Sequence, residues 1–365
     1  MLERFKVPQK DQVRVPHDSL QNTVASIFEK VGLSPEHAAE GADVLVTADL
    51  RGVESHGVSN VISGYIKEFG SGEMNPKPNW QIVREAPGTA TIDADGGLGI
   101  TLGRDAMNIA IEKARKVGVG VVTMSNSGHL GAIGHFAMLA AEQDMVGICM
   151  SAGGTDIPPT FGSEFLLGTN PISFAAPGRN EAPLLFDVAT STVAENKIKL
   201  ASRVGADLEP GWISAGDGVP IMERAPVPES GRIAVLPMGG TREQGSHKGY
   251  GFMLMVEVMT SLLSGTVPNM LDKTPMESKL KNYFAAYDIA AFTDLDTFKD
   301  NMDLMLKTLK NSETTPGHER VIYPGLTEHE DEQERRTNGI PLHSDVVRWF
   351  DDITDEFSIP RLKRM

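Results

Sequence analysis

The chain has 365 residues, 40% of them hydrophobic and 23% charged, with a formal net charge of −15. That length allows one large or two ordinary domains with a sizeable core, and the acidity argues against nucleic acid or an anionic membrane as partner. Met1–Arg14 is polar and no run of about eighteen apolar residues occurs, so neither a signal peptide nor a membrane span is expected.

The sole cysteine, Cys149, cannot form an intrachain disulfide, which fits a reducing, cytoplasmic setting. It lies in the apolar run Val146–Met150 and reads as a buried small hydrophobe. Neither Cys-x-x-Cys nor His-Glu-x-x-His occurs, so the common zinc sites are not expected and no metal site is assigned.

In chain order, Asp18 or Ser19 can cap a first helix through Leu20, Val24, Ile27 and Val31, stopped by Gly32. Ser34-Pro35-Glu36 opens a second helix that runs to about Leu50. A third carries Val61, Tyr65, Ile66 and Phe69. Trp80–Glu85 and Thr89–Asp93 flank Ala86-Pro87-Gly88 as a hairpin. Leu102, Ala106, Ala110 and Ala114 form one helical face, and Val119–Met124 reads as a strand. Ala132–Gln143 reads as a helix, then Val146–Met150, Ile172–Ala176 and Leu184–Asp187 as buried strands. Helices are expected at Thr192–Ala201, Gly251–Leu263, Asp296–Asn311 and Ser344–Glu356, with Glu328–Arg336 as a solvated loop or surface face. The alternation argues for an α/β unit over residues 80–295, with residues 1–79 and 296–365 as a helical domain built from both chain ends.

Four polar clusters can carry chemistry. Arg51–Val58 sits at a helix junction and contains Ser55 and His56; histidine suits proton transfer near neutrality, and a structural or surface histidine is the competing reading. Ser125–Gly131 follows a strand, where α/β proteins place ligands, and glycines on both sides of His129 allow close backbone approach. The alternative there is a helix cap with an incidental histidine. His135 reads as a packed or exposed helix residue. Phe186–Thr192 puts hydroxyls at a helix start, for phosphate or for capping by Ser191 or Thr192. Gly245–Gly251 contains Lys248, for a phosphate, a carboxylate or plain solvent. Gly96-Gly97-Leu98-Gly99 does not complete a dinucleotide fingerprint: Leu102 stands where the third glycine belongs, and Ser125 follows the next strand in place of an acid. A Rossmann site is therefore not expected there.

Taken in order, Asp49–Val58, Ser125–Gly131, Leu167–Ile172, Asp187–Ser191, His247–Gly251, Tyr323–Gly325 and Asn338–Leu342 resemble the type-2 malate/L-lactate dehydrogenase family over nearly the whole chain. The resemblance implies a non-Rossmann α/β nucleotide domain with a mixed sheet, a mostly helical second domain, and a homodimer with the active site at the interface. It implies hydride transfer between NAD or NADP and a small carboxylate substrate of the 2-hydroxy or 2-keto acid type. A cyclic-imine or keto-acid reductase, or a silent dinucleotide-binding homologue, are the rival readings; a metal hydrolase on His56, His129 and His135 is a weaker one. By the same analogy His129 and His56 are the acid/base candidates, with Ser55 orienting the substrate or the neighbouring histidine. Asp187, Val188, Ala189, Lys248, Pro324 and Gly325 match the dinucleotide contacts. Three positions depart from the family. Asn60 stands where an arginine usually clamps the carboxylate; its amide can hydrogen-bond a carboxylate but brings no charge, so either Arg51 or Lys248 takes over or the substrate differs from the usual 2-hydroxy acid. Ser151-Ala152-Gly153 replaces Thr-Asn-Ser, and Leu326 replaces an acid.

Overall fold

The computed structural model describes residues 6–228, 233–273 and 280–365. In chain order the elements are β1 (Gln12–Val15), α1 (His17–Lys30), α2 (Pro35–Leu50), α3 (Val58–Ser71), the hairpin β2 (Gln81–Ala86) and β3 (Thr89–Asp93), α4 (Gly99–Val117), β4 (Val119–Ser127), α5 (Gly134–Ala141), β5 (Met145–Ala152), β6 (Ile172–Ala176), β7 (Leu184–Val188) and α6 (Glu195–Val204). They continue with the small pair β8 (Ile213–Ala215) and β9 (Ile233–Val235), then α7 (Ser246–Glu257), β10 (Leu280–Asp288), α8 (Leu295–Lys310), α9 (Leu326–Asn338), β11 (Ile340–His343) and α10 (Ser344–Phe357). No helix among the described residues is long and apolar enough to cross a membrane.

A mixed seven-stranded sheet, in the order β2-β3-β4-β10-β5-β6-β7, forms the centre. Only the β3–β4 pair is parallel. Because strand side chains alternate between faces, Phe284 and Ala286 of β10 join the main core with α4 and α5, while Tyr283 and Ala285 pack with Val256 on the opposite face. The main core also takes in α1, α2, α3 and α10. The two chain ends meet directly: β1 pairs antiparallel with β11, and the Met365 N–H donates to the Arg14 carbonyl at 3.0 Å. α8 stands apart from the other terminal helices, since Met302 and Leu306 pack with Ala176, Leu184 and Tyr323 at the β6–β7 end of the sheet.

Ser34 caps α2 as expected, its Oγ accepting the His37 N–H at 3.2 Å with Pro35 in the first turn. Other expectations are corrected. α1 starts at His17 after Pro16, so Asp18 and Ser19 do not cap it; Asp18 lies in the first turn, where its charge faces the positive helix end. α6 starts at Glu195, and Ser191 and Thr192 do not cap it: Ser191 Oγ donates to the Val193 carbonyl and Thr192 Oγ1 to the Trp212 carbonyl. The charged stretch Glu328–Arg336 is the surface face of helix α9 and not a loop, with Arg335 alone buried; Arg51 meets Glu332 at 2.9 Å and Arg335 meets Glu54 at 3.0 Å. The central strand β10 has no counterpart in the sequence reading.

Candidate active site

Residues 51–57 cross from α2 to α3, and buried polar groups fix that crossing. Asp49, fully buried at the end of α2, accepts the Val58 N–H on Oδ2 at 2.8 Å and so satisfies the first turn of α3. Position 57 must be glycine for a steric reason: a Cβ there would lie 2.0 Å from Asp49 Oδ1. Asn60 donates its amide to the Glu54 carbonyl at 2.6 Å. From α9, Arg335 donates to the Asp49 carbonyl at 2.6 Å and to Glu54 Oε1 at 3.0 Å. Burial pushes the Asp49 carboxyl up to about 8 and raises Glu54 as well, against the pull of Arg335.

The second segment leaves β4 at Ser127. Asn282 on β10 bridges the sheet beneath it, donating Nδ2 to Ser127 Oγ at 2.8 Å and accepting Ser151 Oγ on Oδ1 at 2.7 Å. The glycines at 97 and 99 now have a role. The Gly128 N–H donates to the Gly97 carbonyl at 2.8 Å, and the Ile100 N–H to the His129 carbonyl at 3.0 Å. A Cβ on Gly99 would meet the Gly128 oxygen at 2.5 Å. The glycine run therefore seats the His129 segment against α4.

These two segments bring His56 and His129 face to face, with ring centroids 5.8 Å apart and planes 25° from parallel. Ser55 Oγ lies 2.9 Å from His56 Nδ1, and Tyr65 Oη lies 2.6 Å from His129 Nδ1. The Gly131 N–H also points at His129 Nδ1, at 3.3 Å. That backbone donor favours the tautomer with the proton on Nε2, which is then a donor. With the proton on Nδ1 the Tyr65 hydroxyl accepts it, and Nε2 becomes an acceptor. Burial lowers the His56 pKa to about 4; burial, then the charges of His56 and Lys199, lower that of His129 to about 3. Both rings are neutral at pH 7.

The histidines line a cleft of about 520 Å³ together with Ser55, Asp187, Val188, Ala189 and Lys197. A second cavity of about 400 Å³ adjoins it, with Val53, Ala132, Asp187, Val188 and Glu328 common to both. Arg51, His135, Pro324 and Gly325 line that second cavity. Asp187 Oδ2 accepts the Gly134 N–H at the start of α5 (2.7 Å), and burial raises its pKa to about 6.

Of the residues singled out from sequence, His56, His129 and Ser55 gather with Asp187, Val188 and Ala189 in the histidine cleft, and Pro324 and Gly325 lie in the adjoining cavity. Besides Pro324 and Gly325, three do not line the histidine cleft. Arg51 pairs with Glu332 and faces the adjoining cavity, Asn60 is turned onto the Glu54 carbonyl, and Lys248 is exposed on α7 and lines neither cavity. Tyr65 and Lys197 were not singled out. Tyr65 fits the apolar helical spacing of α3, which hides its hydroxyl, and Lys197 is one charge among several on α6.

The malate/L-lactate dehydrogenase family profile matches residues 15–350. The chain is 38% identical to a malate dehydrogenase of Pyrococcus abyssi over 366 aligned residues, covering 100% of both proteins. It is 35% identical to an L-sulfolactate dehydrogenase of Methanocaldococcus jannaschii, covering 92% of this chain and 95% of the relative. Among solved structures, it superposes on malate dehydrogenase from Pyrococcus horikoshii with a TM-score of 0.87 at 36% identity, covering 98% of this chain and 99% of the other. A match over nearly the full length, in sequence and in fold, means that the chain belongs to the malate/L-lactate dehydrogenase family, as a dehydrogenase that acts on a CH–OH group with a nicotinamide cofactor.

Proposed function

We propose that this protein reversibly oxidises a small 2-hydroxy acid of malate or lactate type, with His129 and His56 handling the hydroxyl proton. The observation that carries this reading is the stacked histidine pair, set in one cleft beside Asp187, Val188 and Ala189.

The residues present fit a dinucleotide. Two cavities join, their shared wall includes small and backbone-rich positions, and the carboxylates of Asp187 and Glu328 offer acceptors for ribose hydroxyls. Asp187, Val188, Ala189, Pro324 and Gly325 would hold it. When bound, its nicotinamide supplies the carbon that takes or gives the hydride, whether the carrier is NAD or NADP. The protein's own groups do the rest. With its own proton on Nδ1, toward Tyr65, neutral His129 can accept the hydroxyl proton on Nε2 in oxidation and become the imidazolium, which returns that proton to the keto oxygen in reduction. Tyr65 stays hydrogen-bonded to Nδ1 in either tautomer, because a hydroxyl both donates and accepts. Ser55 does the same for His56.

The mostly antiparallel sheet order supports a nucleotide unit other than a Rossmann fold. The β1–β11 pairing supports treating residues 1–79 and 296–365 as one unit beside residues 80–295, with α8 as the exception. Phe252, Leu254 and Met255 of α7, followed by Val258, Leu262 and Leu263, form an exposed apolar stretch that supports a homodimer.

A screen of malate, lactate and sulfolactate against NAD and NADP, followed by absorbance of the reduced nicotinamide, tests the reading. His129→Ala and His56→Ala should each lower turnover about a hundredfold or more and leave cofactor binding nearly intact. Unchanged turnover in both variants overturns the assignment.

A further inference from the structure

We propose that Lys197, on α6, is the cation that holds the substrate carboxylate; this rests on the 2-hydroxy acid reading above. A carboxylate that leaves water for a cleft needs a charged or strongly donating partner there. Among the residues that line the histidine cleft, Lys197 is the one lysine or arginine. Both imidazoles are neutral at pH 7 and supply no charge. The other cations that the sequence brings forward are elsewhere: Arg51 faces the adjoining cavity, and Lys248 lines neither cavity. Position 60 carries a neutral amide bound to the Glu54 carbonyl and supplies no charge.

The helix that bears Lys197 is tied to the histidine segment. Arg203, one turn and a half further along α6, donates Nη2 to the Ser59 carbonyl in the first turn of α3 at 3.1 Å. α6 and α3 are therefore held together beside residues 51–57. The charge of Lys199, also on α6, is felt at His129, where it disfavours ring protonation. The cleft also holds the carboxylates of Asp187, Glu195 and Glu328. An anionic substrate must keep its acid group away from Asp187 and Glu328, which lie toward the cavity shared with Pro324 and Gly325. The α6 side carries both Glu195 and Lys197, and there the ammonium of Lys197 can meet the carboxylate while the carbinol faces the rings.

The test uses the full-length protein, its Lys197→Met and Lys197→Arg variants, and oxalate as an inert carboxylate probe. Oxalate binding to the protein loaded with reduced nicotinamide is followed by fluorescence, alongside turnover of malate and lactate. Lys197→Met should weaken oxalate binding and raise the KM for the acid by roughly 10- to 100-fold, with kcat and nicotinamide affinity changed far less. Lys197→Arg should restore most of the loss. Oxalate binding and KM that stay at wild-type levels in Lys197→Met, in a wild type that turns over hydroxy acids, overturn the role of Lys197 and leave the functional reading standing. Oxalate binding that depends on Lys197, without turnover of any hydroxy acid, overturns the functional reading and leaves the carboxylate contact standing. A wild type that neither binds oxalate nor turns over an acid overturns both.

Discussion

The hydroxyl of Tyr65 lies 2.6 Å from Nδ1 of His129, which makes a residue inside a helical apolar stripe the immediate neighbour of the ring we propose as acid/base. Tyr65→Phe keeps the packing and removes that partner. The expected result is a fall in kcat of about tenfold with KM little changed, since the ring loses the group that stabilises both of its tautomers. The stability loss should be near 1 kcal/mol, the usual net worth of one hydrogen bond. Steady-state kinetics and urea unfolding check it; an unchanged kcat would show that Tyr65 only packs.

The depressed histidines set a pH dependence with a definite sign. His56 and His129 titrate near 4 and 3 in the folded chain, against 6.5 for an unperturbed ring. Between those values the unfolded chain binds more protons, so the contribution of these rings to stability is present above pH 6.5 and is lost as pH falls toward 4 and 3. The acid limb of kcat/KM for oxidation should therefore lie below pH 5. A bound carboxylate beside the rings favours their charged form, so the acid limb of kcat should sit at higher pH than that of kcat/KM. A kcat/KM limb centred near 6.5 would contradict the burial of these rings.

Gly57→Ala tests the crossing that carries His56. The new methyl must displace the Asp49 carboxyl, because the space is already taken at 2.0 Å. Overpacking of this kind costs about 1–3 kcal/mol, and kcat should fall along with stability as the Ser55–His56 pair shifts. Thermal unfolding and kcat measured on the same preparation check this; loss of stability with full kcat would separate the crossing from the chemistry.

The buried acids beneath that crossing give a fourth expectation. The side chains of Arg335 and Glu54 are each 6% exposed, so Arg335→Met leaves a buried carboxylate without its partner and should cost about 3–5 kcal/mol. The double variant Arg335→Met, Glu54→Gln should recover part of that loss. Asp49 acts in the opposite direction to the histidines: its folded pKa, raised to about 8, means that its contribution to stability falls as pH rises from about 4 to 8. Asp49→Asn keeps an acceptor for the Val58 N–H and carries no charge. Its stability relative to wild type should rise between pH 5 and pH 8 in urea unfolding.

Most helices and outer strands were legible because their signals are local. The Ser34-Pro35 start, the apolar faces of α1 and α4, and the β2–β3 hairpin all follow from spacing and turn residues. β10 was not legible. It is buried on both faces, so its residues 281–286 show no alternation, and Lys281 and Asn282 at its start read as surface. Its polar residues are satisfied by distant partners instead: Asn282 by Ser127 and Ser151, Lys281 by Asn269 and Asp272. The histidine pair could be named from its two glycine-flanked segments, but nothing local says that the rings meet. Tyr65 and Lys197 have no local signature at all, since each looks like any residue of its helix face. Arg335 hid in a charged run whose partners lie on α2 and in the crossing after it.

The position of β10 also governs when this enzyme can come into being. The strand lies between β4 and β5, which precede it in the chain by more than a hundred residues and have no hydrogen-bonded edge in common without it. Without it the sheet divides into two halves, β2-β3-β4 and β5-β6-β7, that share no hydrogen-bonded edge. The Ser127 hydroxyl beside the His129 segment also waits for Asn282. Refolding from denaturant should therefore be slowed by this late, long-range insertion.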